Sequence, residues 1–229
     1  LHTANRRQRQ MCIRDSVHRA DARRHLVHHV AVRTHALLVG YGDGAAGKVV
    51  RPERLHEVLD SYYAAYEKHN ISMWAGKLGL DEFNESDAPL LEDLIALLQK
   101  VETDMTIFFR LLSSIQEPKV EHLQPAFYDV SQCPEDEWNG WLMRWWQRVD
   151  GEPKRDAMRL ANPKYVLRNW MAQLAIEAAE NDDYSVAEDL YELLKQPYGE
   201  QPEFEDEWFK KRPEWAKNKV GCSMLSCSS

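Results

Sequence analysis

A glycine-rich run near the amino end has the spacing of a phosphate-binding loop. It reads Gly-Asp-Gly-Ala-Ala-Gly-Lys over residues 42–48 and follows a short apolar stretch. It fits the dinucleotide-binding pattern GxGxxG and also the P-loop pattern GxxxxGK, in which backbone N–H groups surround phosphates and the lysine contacts their oxygens. The candidate ligand-binding residues are Gly42, Gly44, Gly47 and Lys48.

The sequence that follows this run argues against a nucleotide loop. A P-loop continues with Ser or Thr, whose hydroxyl binds Mg²⁺, but Val49 stands at that position. Arg51-Pro52 disfavours a long helix directly after the motif, because a residue that precedes proline avoids the helical region. A chance match is the favoured interpretation, and a P-loop nucleotide hydrolase is the least favoured of three hypotheses for function.

The cysteines are the second candidates for chemistry. Cys12, Cys133, Cys222 and Cys227 are too few and too scattered for the disulfide framework of a small secreted protein. Cys222 and Cys227 lack the further ligands of a zinc site. Since Gly, Ser and Cys residues bury little apolar surface, we expect both tail thiols to be exposed and able to exchange disulfides. Two unreactive thiols on a frayed end are the alternative that the residues leave open.

Other polar clusters show no metal-ligand spacing. Acidic runs occupy residues 135–137, 182–183 and 203–207, and isolated histidines are His56, His69 and His122. Solvated faces and charges at helix amino ends explain the acids better than a calcium loop does. Arg168 could clamp a phosphate, but a structural ion pair is the favoured role. The tryptophans, and Met143, Met158 and Met171, are predicted to fill the core rather than to bind a cofactor.

The elements that carry these residues are predicted to be helices, because apolar residues recur at helical spacing after residue 52 and no strand alternation stands out. Helices are predicted from about residue 52 to Gly79, from Asp87 to 101, from Asp104 to 112, and from 138 to 149. Two more are predicted to begin at Asn162-Pro163, with Val166 and Leu167 on the buried stripe, and at the capping box Ser185–Glu188. Pro118, Pro125 and Pro134 mark a loop-rich middle. After Pro197, an irregular segment is expected to lie across the helices and to pack on them through its aromatic residues Phe204, Trp208, Phe209 and Trp215.

Charge divides the chain unevenly. Residues 1–50 carry nine Lys and Arg against three acids, whereas the whole chain has a net charge of −8. The segment Met11–Ser16 resembles a translated sequencing adapter, so residues 1–51 are interpreted as an off-frame segment, or else as a disordered basic arm that could bind nucleic acid or anionic lipid. Residues 52–220 are predicted to form the helical part and residues 221–229 a flexible tail. We expect no membrane span, because no apolar run approaches 18 residues.

The last third of the chain contains the segment Asn162-Pro-Lys-Tyr-Val-Leu-Arg-Asn-Trp-Met and ends in Cys227-Ser-Ser. These residues most strongly resemble the carboxyl end of the selenoprotein O family, the kinase-like protein adenylyltransferases. The resemblance extends more loosely to residues 77–80, 90–98 and 108–112. Selenocysteine-containing members carry that residue third from the end, where this chain has Cys227.

The resemblance implies a mainly α fold that is the helical carboxyl-terminal region of a protein-kinase-like, pseudokinase domain. It implies transfer of AMP from ATP, with Mg²⁺, to Ser, Thr or Tyr hydroxyls of protein substrates. The family's ATP- and Mg²⁺-binding motifs lie upstream of everything recognisable here, so the missing amino-terminal half is an expected partner and nucleic acid and membranes are not.

In the family the tail cysteine pairs with one near the activation loop, which implies a redox role for Cys227. Cys222 is the local alternative partner and Cys133 a distant one. The cysteine form implies a cytoplasmic location in bacteria, whereas eukaryotic relatives are mitochondrial. A non-catalytic helical interaction module is the second hypothesis.

Overall fold

The computed structural model describes residues 52–219 and Cys222, and this part of the chain is mainly helical. The helices are α1 (Pro52–Leu78), α2 (Ala88–Lys100), α3 (Met105–Leu112), α4 (Glu135–Arg148), α5 (Arg155–Ala161), α6 (Asn169–Ala179), α7 (Ser185–Lys195) and α8 (Glu205–Trp208). Extended backbone pairs within these residues only at the isolated antiparallel bridge between Thr103 and Phe127. The prediction of a mainly helical fold is confirmed for this part. No helix in it is long and apolar enough to cross a membrane.

Helix α1 ends where the sequence predicts, at Gly79. Gly79 has φ +72°, which a residue with a Cβ adopts at a cost. The amide of Leu80 then donates to the carbonyl of Ala75 at 2.9 Å, so the turn also satisfies a free carbonyl of the last helical turn. The chain divides into two compact units between Ile71 and Ser72, within this helix.

The first core forms around the tryptophans of α4. Trp138, Trp141 and Trp145 recur every three or four residues and are fully buried, as the helical spacing predicts. Two of the buried indole N–H groups donate to backbone carbonyls, Trp141 to Leu90 at 2.8 Å and Trp145 to Leu78 at 2.9 Å. These bonds fix α4 against the start of α2 and the end of α1. The prediction that the tryptophans fill the core is therefore confirmed for Trp138, Trp141 and Trp145.

One predicted core residue of α4 lies on the other side. Met143 is 47% exposed, so its assignment to the core is wrong, whereas Met158 and Met171 are buried as predicted. Met143 follows Leu142 on the helix and points away from the buried stripe set by the tryptophans. Size and hydrophobicity alone do not place a residue in the core when the helical phase points it outward.

The helix predicted to begin at Asn162-Pro163 begins instead at Asn169. Asn162 is extended, with φ −119° and ψ 99°, and it ends α5, a short helix that the sequence did not predict. A residue before proline disfavours the helical region, and tertiary bonds of the side chain hold this one extended. Asn162 Nδ2 donates to the carbonyl of Lys77 at 3.1 Å, and Asn162 Oδ1 accepts from Lys77 Nζ at 3.1 Å. Val166 and Leu167 are consequently exposed rather than buried.

A second core lies between α6, α7 and the segment that follows. We call residues 198–219 the strap. The buried members of the second core are Tyr165, Trp170, Met171, Leu190, Leu193, Trp208, Ala216 and Cys222, with Phe204 and Phe209 packed against them. The expectation that strap aromatics pack on the helices is confirmed for these residues, but Trp215 is 44% exposed.

Helix α7 is confirmed, but its start differs from the predicted capping box. Ser185 is the first helical residue rather than the cap, and the cap position, Tyr184, makes no side-chain bond. The amide and hydroxyl of Ser185 instead donate to Asp183 Oδ1 at 3.0 and 2.7 Å. The side chain of Asp183 therefore forms an Asx turn before the helix, in place of the predicted capping box.

Candidate functional site

Most of the residues that the sequence singled out for chemistry lie outside the described residues. Gly42, Gly44, Gly47 and Lys48 precede residue 52, and Cys227 follows Cys222. Within residues 52–219 and Cys222, no group of three or more His, Cys, Asp or Glu side chains is arranged to hold a metal ion. A Mg²⁺ site is therefore not assigned to these residues. What can be described is the surroundings of Cys222 and two charged junctions in the same part of the chain.

Cys222 is an anchor of the tail rather than an exposed thiol. It is 8% exposed and belongs to the second core, which also contains the stacked rings of Trp170 and Trp208. Its carbonyl accepts from Asn169 Nδ2 at 3.2 Å, and its amide donates to the carbonyl of Lys219 at 3.1 Å. The expectation of an exposed thiol is wrong for Cys222, because a cysteine without a polar partner packs like a small apolar residue.

Cys133 lies half-buried just before α4. Burial raises the pKa of its thiol, and the charges of Glu135 and Glu121 raise it further. A raised pKa lowers the fraction of thiolate at neutral pH, and thiolate is the species that attacks a disulfide. The Cys133 thiol is thus a weaker nucleophile near neutral pH than an exposed cysteine.

The first charged junction joins α3, α6 and the strap. Asp104 caps α3 by accepting from the amide of Ile107 at 3.1 Å. Its carboxylate also accepts hydrogen bonds from both terminal nitrogens of Arg168, one of them at 2.9 Å. Arg168 donates in addition to the carbonyl of Lys210 at 3.1 Å. The predicted structural ion pair of Arg168 is confirmed. Because its guanidinium is already engaged in this way, Arg168 is not poised to clamp a phosphate.

The second junction brings two buried cations onto the strap. Arg110 and Lys164 are 5% and 4% exposed. Arg110 donates to the carbonyls of Asn162 at 3.1 Å, Arg159 at 3.2 Å and Tyr198 at 3.3 Å, and to the carboxylate of Glu200.

The second cation, on the neighbouring segment, adds three more bonds. They join Lys164 Nζ to the carbonyl of Glu200 at 2.8 Å, to its carboxylate at 3.2 Å and to Glu205 at 2.8 Å.

Protonation follows from these contacts. Burial alone would raise the pKa of Glu200, but the hydrogen bond from Lys164 and the charge of Arg110 outweigh it and lower that pKa. Burial would likewise lower the pKa of Lys164, but its bonds to Glu205 and Glu200 raise it. Glu200 and Lys164 therefore both stay charged near neutral pH. The sequence analysis missed this junction, since only folding brings Arg110 and Glu200 together.

An open depression of about 560 Å³ adjoins the end of α3. It is lined by Leu111, Ser114, Ile115, Gln116, Glu117 and His122. The hydrogen bond from Lys119, and then that from His122, lowers the pKa of Glu117. The acid and the histidine of this depression are therefore engaged with each other, and nothing in it resembles a nucleophile beside a base.

Comparison with known families decides where the chain belongs. The family model described as "Protein adenylyltransferase SelO" matches residues 44–195, two thirds of the chain. The chain belongs to the SelO family. The resemblance read from residues 162–171 is thus confirmed at the level of family, and the tail lies beyond the matched residues. The match begins eight residues before the domain boundary expected at residue 52.

Curated relatives of this SelO chain carry the name "Protein nucleotidyltransferase YdiU". The chain is 47% identical over 190 residues to the one from Flavobacterium johnsoniae, covering 77% of the chain and 36% of the relative. It is 44% identical over 186 residues to the one from Aromatoleum aromaticum, covering 77% and 35%. It is 39% identical over 216 residues to the one from Rhodopirellula baltica, covering 84% and 40%. The chain spans little more than a third of the length of these relatives.

Proposed function

We propose that this chain is the carboxyl-terminal part of an enzyme that transfers AMP from ATP to Ser, Thr or Tyr hydroxyls of proteins. The observation that carries the proposal is the SelO family match over residues 44–195, together with relatives named protein nucleotidyltransferases. In this reaction the protein hydroxyl oxygen forms a bond to the α-phosphorus, the bond between the α-phosphorus and the bridging oxygen breaks, and pyrophosphate leaves. Electrostatic stabilisation of the phosphoryl oxygens supplies most of the catalysis in such transfers.

The part proposed for residues 52–222 is that of a scaffold. The cations that could contact a phosphate, Arg110, Lys164 and Arg168, are each bound by carboxylates of the same chain. Their bonds join the strap to α3 and to the segment before α6. We therefore assign the binding of ATP and Mg²⁺ to the remainder of the full-length protein. Used alone, the chain is expected to be inactive.

A chimera tests the proposal. Residues 52–229 would replace the matching third of the Flavobacterium johnsoniae relative, with the intact relative and a truncated form lacking that third as controls. The three proteins would be incubated with a protein acceptor and ATP labelled at the α-phosphate. We expect the chimera and the intact relative to label the acceptor and the truncated form to fail.

Two outcomes would contradict the proposal. A folded chimera that does not transfer label while the intact relative does would remove this chain from the enzyme. In a parallel reaction with ATP labelled at the γ-phosphate, labelling of the acceptor would show phosphoryl rather than nucleotidyl transfer. Parallel reactions with UTP, GTP and CTP decide whether AMP is the group transferred.

The redox part of the proposal concerns Cys227. We propose that its thiol exchanges with a disulfide and so connects the redox state to transfer, whereas the buried Cys222 does not take part. In the chimera, Cys227→Ser should abolish the difference in transfer rate between dithiothreitol and oxidised glutathione, and Cys222→Ser should preserve it. A difference that survives Cys227→Ser would contradict the role of this residue.

A further inference from the structure

Helix α7 presents tyrosines on the side that faces away from the second core. Leu190 and Leu193 are buried, whereas Tyr184 and Tyr191 are 57% and 65% exposed. Tyr184 immediately precedes α7 and Tyr191 follows it by seven residues, about two helical turns, so both lie on the same side of the helix. Tyrosine is among the residues that most often dominate protein–protein contacts, because it buries a large rigid ring and keeps a polar tip.

The charge around these tyrosines has one sign. Residues 180–207 contain one basic residue, Lys195, and eleven acids: Glu180, Asp182, Asp183, Glu188, Asp189, Glu192, Glu200, Glu203, Glu205, Asp206 and Glu207. Of those on or beside α7, Glu188 and Asp189 form no ion pair within the described residues and are exposed. Unpaired charges of one sign attract a partner of the opposite sign and speed its association.

A cation of the chain itself shows the contact that this face can make. Lys195 Nζ lies 4.6 Å from the centre of the Tyr191 ring and also binds Glu192 at 2.6 Å. An ammonium over a tyrosine ring is a cation–π contact, and arginine makes it equally well. A tyrosine ring beside a carboxylate is therefore already used here to hold a basic side chain.

We propose that the outward face of α7, formed by Tyr184, Glu188 and Tyr191 with Asp189 one position further round the helix, binds a Lys- or Arg-rich protein segment. The exposed rings supply cation–π contacts and the free carboxylates supply charge complementarity. The inference concerns binding alone and does not depend on nucleotidyl transfer, so failure of either proposal leaves the other standing.

Fluorescence anisotropy with a labelled peptide of alternating Arg and Gly tests the proposal on the full chain. The test variants are Tyr184→Ser/Tyr191→Ser and Glu188→Gln/Asp189→Asn. The matched control, Glu135→Gln/Asp136→Asn, removes two exposed acids from the first turn of α4 instead. Each test variant should weaken binding about tenfold, the control should weaken it less than about twofold, and added NaCl should weaken binding to the unmodified chain.

Three results would overturn the proposal. Equal losses in the control and test variants would show a general effect of net charge. Sedimentation that detects a dimer, dissociated by Tyr184→Ser/Tyr191→Ser, would assign the face to a second copy of the chain. Cross-links from α7 to residues 1–50 that added peptide does not displace would assign it to the chain's own basic segment. Circular dichroism of each variant establishes that α7 still forms.

Discussion

Arg110 provides the sharpest test of how the strap is held. Replacing it with Met keeps an unbranched side chain of similar length but removes one ion pair and three hydrogen bonds to backbone carbonyls. Removing one partner of a buried pair costs about 3–5 kcal/mol, because the remaining polar groups lose their partners. The Glu200 side chain is 53% exposed and can turn to water, so the lower end of that range, about 3 kcal/mol, applies here.

The same reasoning predicts an asymmetry within the pair. Glu200→Gln leaves Arg110 bound to its three carbonyls and Lys164 bound to Glu205. Because the substituted group is half-exposed, this change should cost only about 1 kcal/mol. Arg110 and Glu200 both carry a charge, but more hydrogen bonds are lost with the Arg110 guanidinium than with the Glu200 carboxylate.

Urea unfolding followed by circular dichroism measures both changes. For an m-value of about 2.5 kcal/mol per M, Arg110→Met should lower the midpoint by roughly 1.2 M and Glu200→Gln by roughly 0.4 M. Lys100→Met is the control, since its pair with Glu137 is half-exposed on both sides and should contribute less than about 0.5 kcal/mol. Equal shifts for the two test variants, or an Arg110→Met shift no larger than the control, would refute the reasoning.

Three further changes test other parts of the fold. The hydrogen bond from Arg148 lowers the pKa of the buried Asp87. The pair therefore stabilises the fold above the ordinary aspartate pKa, near 4, and this contribution is lost as the pH falls through the lowered pKa. Urea midpoints should fall less steeply between pH 7 and pH 3 in Asp87→Asn than in the unmodified chain, and identical slopes would contradict this. Gly79→Ala should lower the free energy of unfolding by about 1–2 kcal/mol, since φ is +72° and a Cβ would approach Met158 Sδ to 2.7 Å. Gly140→Ala, with no atom within 4 Å of the added Cβ, should raise it by up to about 1 kcal/mol. Urea midpoints that move in the same direction in both variants would contradict these two predictions. Iodoacetamide followed by peptide mapping should label Cys222 only after urea is added, and rapid labelling of the folded chain would contradict its burial.

The sequence was informative where local chemistry sets the structure. The first turn of α2 contains Pro89, α3 starts after the cap Asp104 and α1 ends at Gly79, and in each case the deciding contact lies within a few residues. The start of α6 was predicted wrongly because Asn162-Pro163 satisfies the rules for a helix entry, but distant partners hold it extended. Those partners are Lys77 and Arg110, which are 85 and 52 residues away along the chain.

The charged junctions could not be predicted for the same reason. Arg110 and Glu200 are 90 residues apart, and Arg168 and Asp104 are 64 apart. Each residue type taken alone is typical of a solvated surface. Only the compact fold shows that Arg110 and Lys164 are buried and that the strap supplies their carboxylates.

The burial of Cys222 limits what the proposed redox thiol can reach. Cys227 follows five residues later, and five residues of fully extended chain span at most about 18 Å. Since Cys222 is held in the second core by apolar packing and by the bond from Asn169, a disulfide partner must come within roughly that distance of the second core. Loosening this anchor would widen that range. Asn169→Ala removes the hydrogen bond to the Cys222 carbonyl, so it should change the rate of disulfide formation in the chimera. The bond from Asn169 and the proposed exchange at Cys227 are thus linked, because the position of Cys222 sets the range over which Cys227 could act.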